Sequence, residues 1–124
     1  MPVNYTTAVK TSRMNAVVTA IGTTGVLEIG TAGMASVLVT INLANPAGTV
    51  SNGVLTFSGF PRSDTSADNT GTAAEARIRT ASGGTDIVTG LTVGLSGCDI
   101  NLDSVSITAG QTVTLNSFTI THAA

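Results

Sequence analysis

The sequence predicts a mainly β fold: an antiparallel sandwich or barrel of about seven or eight short strands, preceded by one short N-terminal α-helix. Three observations carry this. From residue 23 onward, apolar residues recur with period two. Gly, Pro, Asn, Asp and Ser break that pattern at short intervals, as turns require. Upstream, Thr7 to Ile21 contains neither Gly nor Pro and spaces its apolar residues as a helix does. With 124 residues the chain fits one domain, with residues 1–22 as arm and helix and residues 23–124 as the β-sandwich.

The helix has start and stop signals. Thr6 or Thr7 can accept from the free N–H groups of the first turn, and Gly22 can end the helix with a positive φ. Val9, Met14, Val17 and Ile21 form one stripe with Ala16 and Ala20 beside it, while Lys10, Ser12 and Asn15 lie off it and Arg13 borders it. β-Branched Val17, Val18 and Thr19 weaken the helix intrinsically. It should therefore depend on packing against the sheet or a neighbouring subunit.

The strands follow in order. Val26 to Gly30 is short. Met34 to Leu43 places Val37, Val39, Ile41 and Leu43 on one face, and Asn45-Pro46-Ala47-Gly48 turns the chain. Val54 to Phe60 ends at Pro61, and Arg62 to Gly71 reads as an exposed polar loop. Ala73 to Thr80 alternates most clearly, with Ala74, Ala76 and Ile78 opposed to Glu75, Arg77 and Arg79. Ser82-Gly83-Gly84 is a hairpin turn to a partner strand at Thr85 to Val93. Ile100 and Leu102 begin another short element, and Ala109-Gly110 is a second expected hairpin turn. In the last strand, Gln111 to His122, the apolar phase shifts between Val113/Leu115 and Phe118/Ile120, which predicts a β-bulge near Asn116-Ser117.

Composition narrows the function. Aromatics are 3% with no Trp, so Val, Ile, Leu and Ala must supply the core. Charged residues are 10%, against roughly 25% in an average soluble domain, and Thr is the commonest residue. Such a surface has little self-repulsion and suits a subunit that meets other protein. Net charge is −2 and the five Lys and Arg are scattered, so the cation cluster that nucleic-acid binding needs is missing. No run reaches the roughly 20 apolar residues of a membrane-spanning helix, and no signal-peptide pattern opens the chain. The expectation is a soluble protein made in a cytoplasm.

No catalytic constellation emerges, and no enzyme activity is expected. His122 is the only His, and no Gly-x-Ser-x-Gly elbow surrounds any Ser. Cys98 has no second Cys to pair with and reads as a partly buried thiol. Asp64 with Asp68, and Asp99 with Asp103, lack the ligand spacing of a calcium loop and suit turn capping better. No metal and no cofactor are expected. Glu75, Arg77 and Arg79 read equally well as a solvated outer face with cross-strand ion pairs or as a rim of charge that meets a partner.

Several segments together carry a family resemblance: Tyr5-Thr6-Thr7-Ala8-Val9-Lys10, Gly25-Val26-Leu27-Glu28-Ile29-Gly30-Thr31-Ala32-Gly33-Met34-Ala35, Asn52-Gly53-Val54-Leu55-Thr56, Gly71-Thr72-Ala73-Ala74-Glu75-Ala76-Arg77-Ile78 and Ile107-Thr108-Ala109-Gly110-Gln111-Thr112-Val113. The chain resembles the capsid cement, or head decoration, proteins of tailed bacteriophages. The resemblance implies a jelly-roll-like β-sandwich on the outer surface of the virion. It implies a homo-oligomer, with a trimer preferred to a dimer, that bridges copies of the major capsid protein. A tail-tube, head–tail connector or fibre subunit is the alternative from another class. The interface candidates are Tyr5, Lys10 and Arg13 of the arm and helix, Arg62 and Asp64 of the polar loop, and Glu75, Arg77 and Arg79.

Overall fold

The computed structural model describes residues 5–121. Residues 2–4 of the expected arm, and His122, lie outside the described residues. Among the described residues strand accounts for 41% and helix for 15%, so the fold is mainly β with one α-helix among them.

Helix α1 spans Thr7–Ile21. Thr6 is its N-cap, with Oγ1 accepting from the Val9 N–H at 3.3 Å. At the other end Gly22 takes φ +74°, and its N–H donates to Val18 O at 3.3 Å. Met14 and Ile21 are buried, and Val17 and Val18 pack against the core. Val9 departs from the expected stripe and is 44% exposed. It lies about 140° around the helix axis from Met14, which places it on the far side of the buried line. The inner stripe is completed instead by half-buried Lys10 and Thr11.

The strands are shorter and more numerous than the pattern predicts. They are β1 (Val26–Gly30), β2 (Val37–Asn42), β3 (Gly48–Ser51), β4 (Val54–Phe57), β5 (Arg62–Asp64) and β6 (Gly71–Thr72). β7 (Glu75–Arg79), β8 (Asp86–Gly94), β9 (Ile100–Asn101), β10 (Ser106–Ile107), β11 (Val113–Leu115) and β12 (Thr119–Thr121) follow. The largest sheet has five strands in the order β2-β1-β7-β8-β9. A three-stranded sheet runs β12-β4-β3, and β10 with β6 and β11 with β5 form separate two-stranded ladders. Pairing is antiparallel except between β8 and β9, which run parallel.

Five local differences from the sequence pattern follow. Asn52-Gly53 makes a hairpin between β3 and β4 with φ +52° and +75°, the two positive values of a type I′ turn. Arg62–Asp64 is a strand because β11 pairs with it. Met34 lies in a 3-10 turn, Ala32–Met34, ahead of β2. The apolar phase shift near residue 116 is a change of sheet: β11 pairs with β5 and β12 with β4. For the same reason Ala109-Gly110 joins strands that pair elsewhere, β10 with β6 and β11 with β5.

One cluster of buried apolar side chains joins the helix and the sheets. In β1, β2 and β7, Leu27, Ile29, Val39, Ile41, Ala76 and Ile78 occupy one face of the large sheet, all at 1% exposure or less. Phe57 stacks on Phe118 at 4.3 Å between centroids, which anchors the last segment beneath β4. Helix α1 rests on the β3–β4 hairpin and reaches β8.

Candidate functional site

The candidate residues fall into three regions, and the structure gives each region a different role. The first lies on the large sheet. β1 is buried on both faces, so Glu28, at 4% exposure, is a buried carboxylate. Antiparallel register sets Glu28 directly opposite Arg77. Arg77 Nε donates to Glu28 Oε1 at 2.7 Å, and Arg79 NH1 stands 3.6 Å from the same oxygen. Arg79 Nε is 2.9 Å from Asp86 Oδ1 across β7–β8, although the N–H is not aimed along that line. Glu75 accepts from the Gly33 N–H at 3.4 Å. Arg77 and Arg79 keep only 21% of their side-chain surface in solvent. The expected cross-strand ion pairs are present, to Glu28 and Asp86, with about a fifth of each Arg side chain in solvent.

The second region is the outer edge of β2. An unpaired sheet edge presents free N–H and C=O groups that invite another strand. Here segment 62–69 covers them. Arg62 NH1 donates to Asn42 O at 3.1 Å, Asp64 Oδ2 accepts from the Thr40 N–H at 3.0 Å, and Asn69 Nδ2 donates to Val37 O at 2.8 Å. The Asp68 N–H donates to Leu38 O at 2.7 Å, and Asp68 Oδ2 accepts from Thr40 Oγ1 at 3.0 Å. Asp64 Oδ1 also caps its own turn by accepting from the Ser66 N–H at 3.0 Å. Arg62 and Asp64, expected in an exposed loop, act as a seal on the sheet.

The third region is the outer face of α1. Ala8, Val9, Ser12, Arg13 and Ala16 line a groove of about 350 Å³. Its walls come from one helix, so it is an open shelf. Arg13 lies over the Tyr5 ring with its guanidinium carbon 4.7 Å from the centroid, a cation–π contact. Tyr5 is 41% exposed and Val9 44%. Lys10 turns away from the shelf and lays its stem against Gly53. The helix carries Lys10 and Arg13 and no carboxylate, while all seven acids of the chain lie at residue 28 or beyond.

The candidates are thus not one site. Tyr5 and Arg13 come together on the shelf with Val9, Ala8 and Ala16, which the sequence pattern had assigned to the buried stripe or left unassigned. Glu28 was missed altogether; its signal was an acid in the middle of an otherwise apolar strand. Among the described residues no group of three or more His, Cys, Asp or Glu could hold a metal ion. None of their helices is long and apolar enough to cross a membrane. No known family, no curated protein and no solved structure matches the chain.

Proposed function

We propose that the chain is a non-enzymatic structural protein of a tailed bacteriophage, bound to the outside of the assembled capsid and bridging major capsid subunits. The proposal includes a jelly-roll-like arrangement of the sheets and assembly as a homo-oligomer, a trimer before a dimer, both by analogy with the cement proteins that the sequence resembles. The observation that carries it is the shelf on α1. The molecule spends Arg62, Asp64, Arg77 and Arg79 on its own fold, yet Val9 stands 44% exposed on the shelf, along a helix with no acid.

The size of that face sets the mechanism. A helix of 15 residues is about 22 Å long and about 10 Å wide. Its outer face offers roughly 200 Å², far below the roughly 800 Å² per partner of a standard interface. Were all of it apolar, burying it would gain about 5 kcal/mol gross, no more than the entropy cost of association. One such contact is weak. Many copies on one shell, each binding only assembled capsid, stabilise it by mass action and avidity.

The test adds purified protein to heads that lack it and measures co-sedimentation and heat resistance. Wild type should bind and raise the temperature of head rupture. Val9→Asp with Ala16→Asp should weaken binding at least tenfold while the isolated protein melts as before. Absence of wild-type binding, with no gain in heat resistance, refutes the proposal.

A further inference from the structure

We infer that the β3–β4 turn contains a latent modification site, the Asn52 side-chain amide, which α1 holds inactive through Thr11. Asn followed by Gly is the pair most open to spontaneous deamidation, because Gly has no Cβ to keep its amide nitrogen away from the preceding side chain. The reaction needs only water. The Gly53 nitrogen loses its proton and bonds to Asn52 Cγ; the Cγ–Nδ2 bond breaks, and Nδ2 takes up a proton and departs as ammonia. Water then opens the resulting imide ring at either carbonyl, leaving Asp or isoaspartate at position 52.

The structure separates the two reacting groups. Asn52 is exposed, and none of the hydrogen bonds among the described residues engages its amide. Gly53 is buried, and its N–H donates to Thr11 Oγ1 at 3.0 Å. The stem of Lys10 backs it so closely that a Cβ on Gly53 would stand 2.9 Å from Lys10 Cβ. The leaving group faces water while the nucleophile is pinned under the helix. Ring closure requires the Gly53 nitrogen to leave Thr11 and swing onto Cγ, out of the turn held by φ +52° and +75°. That movement requires α1 to lift from the hairpin, so the deamidation rate follows the population of lifted helix.

The product keeps a record of the event. It carries a new carboxylate at position 52, and isoaspartate adds a methylene to the main chain of a turn that fits two residues of positive φ. The Asp product leaves the main chain and the Gly53–Thr11 contact in place; isoaspartate, with its longer main chain, displaces the Gly53 N–H from Thr11. The inference concerns the isolated subunit and stands or falls independently of capsid binding.

The experiment incubates the full-length protein at mildly alkaline pH and follows Asn52 by intact mass and peptide mapping. Wild type, Thr11→Val and Thr11→Ser are compared, along with wild type in urea. Thr11→Val should deamidate about fivefold faster, the loss of one hydrogen bond of about 1 kcal/mol at tenfold per 1.4 kcal/mol. Thr11→Ser keeps the hydroxyl and should stay within about twofold of wild type. Urea should give the fastest rate. A Thr11→Val rate equal to or below wild type overturns the inference. If Thr11→Val does not fold, judged by circular dichroism, native wild type against urea decides. Native protection of tenfold or more supports the inference, and a smaller difference overturns it.

Discussion

Removing the carboxylate of Glu28 should be among the costliest single changes in this chain. Glu28→Ala leaves Arg77 and Arg79 facing an empty space on a sheet where Glu28 itself keeps only 5% of its side-chain surface in water. Breaking a buried ion pair from one side costs about 3–5 kcal/mol, because the surviving charge stays desolvated. Arg77 and Arg79 retain 21% of their surface, and Arg79 keeps Asp86, which places the cost near the lower limit, about 3 kcal/mol. That is a large share of a total stability of about 5–15 kcal/mol. At about 4 °C per kcal/mol for a chain of this length, the melting temperature should fall by about 12 °C. Urea unfolding followed by far-ultraviolet circular dichroism measures this directly. Glu28→Ala with Arg77→Ala should cost less than the sum of the two single changes, since the second removes one stranded charge. A loss below about 1 kcal/mol for Glu28→Ala, or strict additivity in the double variant, would show that Glu28 is not the buried hub of the network.

Two further outcomes follow from packing and from the sealed edge. Phe118→Ala should destabilise by about 3–5 kcal/mol, because it removes half of the Phe57–Phe118 stack and leaves a cavity under β4; thermal melting reads it. Asp64→Ala frees the Thr40 N–H on the β2 edge and should cost about 1–2 kcal/mol. The same variant should self-associate more readily than wild type, seen by size-exclusion chromatography at rising concentration.

Legibility tracked how local the determining interactions are. Helix α1 could be read to the residue because Thr6, Gly22 and the absence of Gly and Pro between them act within one turn of chain. β1 and the alternation of β7 were equally plain. What escaped was set by partners distant in sequence. The strand character of Arg62–Asp64 depends on β11, some fifty residues later, and the segment's own composition speaks for a loop. The apolar shift at residue 116 is as consistent with a bulge as with a move to another sheet, and only β4 decides it. The inner line of α1 was misdrawn at Val9 because a helix with so many small and β-branched residues has no strongly polar side. Of the candidate site, Tyr5 and Arg13 could be found from chemistry alone. Cross-strand ion pairs of Arg77 and Arg79 could be foreseen from the alternation, but their buried partner Glu28 and the edge contacts of Arg62 and Asp64 could not, because those partners lie about 20 to 50 residues away in the chain.

The covered edge of β2 bears on how copies of this chain would meet. Most soluble proteins keep copies apart by charge, which salt screens within about 8 Å at physiological strength. With 10% charged residues this chain has little charge to screen. At the β2 edge, its protection against strand-to-strand association is steric and hydrogen-bonded, supplied by Arg62, Asp64, Asp68 and Asn69. Its solubility should therefore respond weakly to ionic strength and strongly to single changes in that one segment, the reverse of what a highly charged β protein would show.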